Sequence, residues 1–197
     1  MYYLSKNKES GFTLIELLIA MTIGLIILTA LSSTFLMQRK IYDVQEQVAE
    51  MVQTTRAAMD MMNREIRMAG YDPSGLANAT IVTVTSNSIN FTLDITDDAE
   101  TGPPDGDTDD PNENITYSLY TEDGIQKLGR KSKATANNQP VAENIEDLQI
   151  SQSGNSINVS LTARTTKPDP DYTHPTYGDH YRRYTLISVI TPRNLNL

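Results

Sequence analysis

The chain has 197 residues, 39% of them hydrophobic, with no cysteine and a formal net charge of −9. Beside the long apolar segment at its start there is room for one further domain of ordinary size, which excludes a second catalytic domain and any disulfide staple. An acidic surface repels phosphate backbones, so direct, nonspecific nucleic-acid binding is excluded as a first reading.

Residues 1–11 form a short polar leader that ends in Ser10-Gly11, and residues 12–37 follow as an unbroken apolar run with Glu16 as its only charge. A helix rises ~1.5 Å per residue and needs about 20 apolar residues to cross the hydrocarbon core, so this run can span a membrane. A carboxylate in lipid costs roughly 2.5–3.5 kcal/mol at mid-helix, and Glu16 therefore requires a partner or a purpose. A secretory signal peptide has a shorter apolar region and a small-residue cleavage site after it. Here Gln38-Arg39-Lys40 stands where that site should be. A cut between Gly11 and Phe12 would instead leave the whole apolar segment on the mature protein and take the net charge from −9 to −10, since Lys6, Lys8 and Glu9 would leave with the leader. Lys6 and Lys8 face Arg39 and Lys40 across the span, so positive charge does not fix the orientation.

Gly11-Phe12-Thr13-Leu14-Ile15-Glu16 resembles the class III prepilin signal of type IV pilins and type II secretion pseudopilins. The resemblance implies a prepilin peptidase that cuts after Gly11 and methylates the new amino group of Phe12. It implies that Glu16 complements the N-terminal charge of a neighbouring subunit during assembly. Two buried opposite charges are each costly alone and much less so when matched. It also places the leader in the cytoplasm of a bacterial inner-membrane precursor, in membrane lipid before assembly, with the head outside and later in a pilus at the cell surface.

Beyond the span the helix is expected to continue. Ile41, Val44, Val48, Met51, Thr55, Ala58, Met62 and Ala69 recur at three- and four-residue steps, and Val52, Met59 and Ile66 widen the stripe. The periodicity predicts one helix over residues 12–69, stopped by Gly70 and about 90 Å long, more than a compact domain can cover. A coiled-coil stalk would show a similar stripe, but the Met- and Val-rich seam lacks a sustained leucine position. Packing against a sheet is the preferred reading, because strand signals follow at 80–84, 88–95, 115–120, 125–128, 148–150, 156–163 and 184–190. Thr121-Glu122-Asp123-Gly124 marks a hairpin. The expected class is α+β with the type IV pilin fold: leader 1–11, transmembrane and filament-core helix 12–40, amphipathic helix 41–70, and an antiparallel β-sheet head 71–197 with an acidic loop at 97–114.

Within the pilins the chain is most similar to PilW-like minor pilins, on residues 59–71, on 141–150 and on the closing Arg182-Arg183-Tyr184 through Pro192-Arg193-Asn194. That resemblance implies a minor subunit that primes pilus assembly with other minor and major pilins and an inner-membrane assembly platform, at or near the tip. The J-type pseudopilin of type II secretion shares the same plan, and a tip adhesin is a further alternative. Glu16 argues against the terminal K-type cap, which usually lacks it. The absence of cysteine departs from many major pilins.

The acidic loop Asp105-Gly106-Asp107-Thr108-Asp109-Asp110, preceded by Asp97, Asp98 and Glu100, offers oxygens of the kind calcium takes. An EF-hand would need Gly at Asp110 and Glu at Thr116, so that pattern fails. The preferred reading is a solvated loop, with calcium held by Asp105, Asp107 and Asp109 as the alternative. Lys127, Arg130, Lys131 and Lys133 read as a solvated hairpin end rather than a basic patch. His174 and His180 read as loop polarity rather than a metal or acid–base pair. Among Tyr172, Tyr177, Tyr181 and Tyr184, tyrosine suits protein contact. No nucleotide loop, nucleophile elbow or zinc motif is present, so no enzyme and no further cofactor is expected.

Overall fold

The computed structural model describes residues 11–97, 102–133, 135 and 137–195. The leader residues 1–10, with Lys6 and Lys8, and Asp98 and Glu100 of the acidic stretch lie outside them. Among the described residues one helix, α1 (Leu14–Met68), is followed by eight strands: β1 (Ile81–Thr85), β2 (Ser88–Thr92), β3 (Asn114–Glu122), β4 (Ile125–Ser132), β5 (Gln139–Glu143), β6 (Ile145–Ser153), β7 (Ser156–Arg164) and β8 (Arg183–Ile190). The chain divides into two compact units, with the boundary between Gln45 and Glu46.

In the first unit the helix starts two residues later than the apolar run, because Thr13 serves as its N-cap. Its apolar side chains are exposed on every side, and an 18-residue window with mean hydropathy 2.5 is long and apolar enough to cross a membrane. Thr22, Thr29, Ser33 and Thr34 return their hydroxyls to carbonyls three or four residues earlier, which satisfies them without water.

In the second unit the stripe on α1 meets strands, as the preferred reading required. Met51, Thr55, Ala58, Met59, Met62 and Ile66 are buried, and Val48 and Val52 pack beside them. The helix ends at Met68 and the chain reverses at Gly70, whose φ is +79°. A Cβ there would stand 2.9 Å from Leu195 Cδ2 and 3.1 Å from the Asn194 carbonyl oxygen, so glycine is required for space as well as conformation. The C-terminal segment closes this end of the helix: the Arg193 N–H donates to the Arg67 carbonyl at 3.1 Å and the Asn194 amide to that of Met68 at 3.4 Å.

The α+β class holds, but the expected single sheet is two. Strands β1 to β5 form one antiparallel sheet in chain order, and β6, β7 and β8 form another. The Ile150 N–H bonds the Ser86 carbonyl at 2.8 Å and ties β6 to the first hairpin. Central strand β7 alternates cleanly, with Ile157, Val159, Leu161 and Ala163 inward. The β3–β4 hairpin turns at Asp123 and Gly124, both with positive φ, the backbone that a two-residue turn of this twist requires.

Candidate functional site

At the start of α1, Glu16 closes a capping box. The Thr13 N–H donates to Glu16 Oε2 at 2.8 Å, the Thr13 hydroxyl donates to the same oxygen at 2.7 Å, and the Glu16 N–H returns to Thr13 Oγ1 at 3.3 Å. The carboxylate thus lies at the positive end of the helix. A reading of Glu16 as a charge costly in lipid and matched by a neighbouring subunit leaves out this local partner, although Thr13-Leu14-Ile15-Glu16 carries the S/T-x-x-E pattern that signals it. Phe12 is outside the helix and fully exposed.

A partly buried polar network fastens the helix to the first sheet in the second unit. The Tyr117 hydroxyl donates to Glu65 Oε2 at 2.6 Å, and Arg130 Nε bonds both Glu65 oxygens at 3.1 and 3.0 Å. Arg130 Nη1 reaches Asn112 Oδ1 at 3.1 Å and so holds the end of the acidic loop. Burial, reinforced by the adjacent Glu65 carboxylate, pushes the Tyr117 phenol above its ordinary range. Of the four basic residues once grouped as a hairpin end, three are matched by carboxylates: Arg130 by Glu65, Lys133 by Asp109, and Lys127 by Glu143 at 2.8 Å and Glu122 at 3.0 Å.

The acidic loop is built rather than loose. Asp105 and Asp107 each accept the N–H two residues on, at 3.3 and 2.8 Å. One carboxylate oxygen from each of Asp105, Asp107 and Asp110 lies within 4.8 Å of the others. Asp109, expected as the third member, turns instead to Lys133, and Asp110 takes its place with only 2% of its surface exposed. Glu113 is buried and accepts the N–H groups of Ile95 at 2.7 Å and Thr96 at 3.0 Å. Asp94 is fully buried. Burial and the negative charge of Glu113 push its carboxyl above the ordinary range, opposed by the Gly106 N–H. Sequence periodicity did not single out Asp94, since it follows β2 like any polar strand end.

The two histidines are joints of the loop between β7 and β8. His174 Nδ1 accepts the N–H groups of Thr176 and Tyr177 at 3.1 and 3.3 Å, and His180 Nδ1 meets the Tyr172 carbonyl at 2.5 Å. Arg183 is held between Glu146 and Asp179, with the Tyr177 ring 4.1 Å from its guanidinium carbon. That guanidinium holds the Asp179 carboxyl down to about 2. Tyr172 and Tyr181 likewise stack on Arg182 and Arg164, while Tyr184 packs against the core. The tyrosine set therefore has largely internal work.

Residues 6–32 match the model of the prokaryotic N-terminal methylation motif. No curated protein matches the chain. Among solved structures, a type IV-like pilin from Thermus thermophilus is similar, with 10% sequence identity, a TM-score of 0.41, and coverage of 74% of this chain and 98% of that one.

Proposed function

We propose that the chain is a minor pilin of a type IV pilus, a non-catalytic subunit that primes assembly and resides at or near the tip. The observation that carries this reading is the methylation motif, matched over residues 6–32, at the head of a 55-residue helix whose first part is apolar on every side. A prepilin peptidase would cut after Gly11 and methylate Phe12. The capping box, which holds Glu16 in the first turn, supports a role in which Glu16 would face the ammonium of Phe12 in an adjoining subunit as the apolar helices bundle. Residues 12–40 would serve as membrane anchor and later as filament core, and residues 71–197 with the packed helix 41–70 as the head. The partners are the peptidase, other minor and major pilins and the inner-membrane assembly platform. Net charge −9 and the pairing of Lys127, Arg130 and Lys133 with carboxylates support a head that does not itself bind nucleic acid.

Intact mass of the protein from sheared surface filaments tests this. The expected chain begins at N-methylated Phe12, and Gly11→Val should leave an unprocessed membrane precursor. An N-terminus beyond Met37 would overturn the reading. Deleting the gene should abolish surface pili; intact piliation with lost protein secretion would instead identify a pseudopilin.

A further inference from the structure

Three carboxylates converge on the acidic loop, and a fourth is buried next to it with nothing of opposite charge at hand. Asp94 has no exposed surface, and neither of its oxygens meets a donor at hydrogen-bond geometry. The charges that act on it are those of Glu113, Asp72 and Asp105, all negative. Among the described residues, the cations that reach this loop are engaged: Lys133 with Asp109, and Arg130 with Glu65 and Asn112. A buried carboxylate is paired, loses its charge or coordinates a metal.

We propose that Asp105, Asp107 and Asp110 bind a divalent cation of calcium's size and hardness, with the buried carboxylate of Asp94 supplying further negative charge behind the loop. Oxygens lying ~2.3–2.6 Å from one calcium ion are at most about 5 Å apart. The three loop carboxylates already meet that limit, with their oxygens within 4.8 Å of one another. The ligands are all hard oxygens, without the nitrogen or sulfur that zinc and copper favour. Gly106 lets the loop settle into this place. Its φ is +100°, and a Cβ there would stand 3.2 Å from Leu76 Cβ and 3.3 Å from Ser74 Oγ, so the backbone lies directly on the turn that Asp72 organises. The Asp109 side chain points to Lys133 and is not a ligand. This inference stands without the pilin reading, since it uses only groups in the head.

Isothermal titration and thermal melts of the full chain in detergent micelles, with calcium chloride up to about 5 mM, test the site. Binding should release heat or entropy at one site per chain and raise Tm, EGTA should reverse the shift, and magnesium should act more weakly. Asp94→Asn preserves shape and removes the buried charge, and Asp107→Asn changes an exposed ligand without threatening the fold. Each should weaken calcium about tenfold or more, while Asp109→Asn stays near wild type. No calcium response in the wild-type protein, or a wild-type response in either Asp94→Asn or Asp107→Asn, would overturn the proposal. Should Asp94→Asn fail to fold, Asp107→Asn decides alone.

Discussion

The first and second parts of α1 obey the same helical geometry and carry opposite instructions. Up to Met37 apolar side chains cover the whole circumference, so no face is distinguished and the segment suits an apolar solvent or a bundle of its own kind. From Glu46 onward one stripe is apolar, and it is buried against strands while Arg56, Asp60 and Arg64 stay wet. The lesson is that the width of the apolar arc, not the hydrophobicity of any residue, decides what a helix packs on. Met37 and Met62 are the same residue; one is exposed and the other fully buried.

The sharpest way to break this comparison is to make the same kind of cut in both parts. Met62→Ala should lower the stability of the head by about 2–5 kcal/mol, because a fully buried side chain leaves a cavity. Leu25→Ala, on an exposed face, should leave the melting of the head in detergent unchanged. Thermal denaturation followed by near-ultraviolet circular dichroism reads both. Tyr117→Phe comes next. It removes a hydrogen bond to a charged, partly buried acceptor and should cost about 1.5–3 kcal/mol. It should also blunt alkaline unfolding. With its folded pKa raised, the Tyr117 phenol contributes stability that is present below its ordinary value of about 10 and lost as pH climbs towards the folded value. Urea titrations of both proteins at neutral and alkaline pH check this.

Thr13→Ala should unseat the capping box at a cost of about 0.5–2 kcal/mol confined to the first turn. Amide exchange should quicken at residues 14–17 and stay unchanged from Met51 onward; faster exchange across the head would show that the two parts are not separable. The smallest effect belongs to Asp179. Arg183 depresses its carboxyl to about 2, so the stabilisation is intact above the usual carboxylate value of about 3.9 and fades as pH falls from there towards 2. Asp179→Asn should flatten the acid limb of the stability profile in that window, as read by urea midpoints between pH 5 and 2.

Much of this was legible from local rules. The stripe from Val48 to Ile66 and the stop at Gly70 follow from periodicity and from the one residue that accepts the reversal, and Asp123-Gly124 announces its own hairpin. Strand β5 was overlooked because Gln139-Pro140-Val141-Ala142-Glu143 is short, polar and contains a proline, which is tolerated because β5 is an edge strand and needs no donor on its outer side. The split into two sheets could not be read, since it depends on which strands meet across the fold. At the candidate cation site, spacing named Asp105 and Asp107 but chose Asp109 over Asp110. The choice turns on Lys133, 24 residues away, which draws Asp109 off. Asp94 carries no signal at all in the sequence, because its burial is a property of the assembled head.

The sealing of α1 by Arg193 and Asn194 has a consequence for the order in which the protein can be made. A residue made 126 positions later completes the end of the helix, and β8, which finishes the second sheet, follows every other strand. A chain emerging from N- to C-terminus therefore cannot finish its head before Asn194 has emerged. Nascent chains arrested before Arg193 should remain protease-sensitive. The head closes only after that point, a timing written into the seal on its helix.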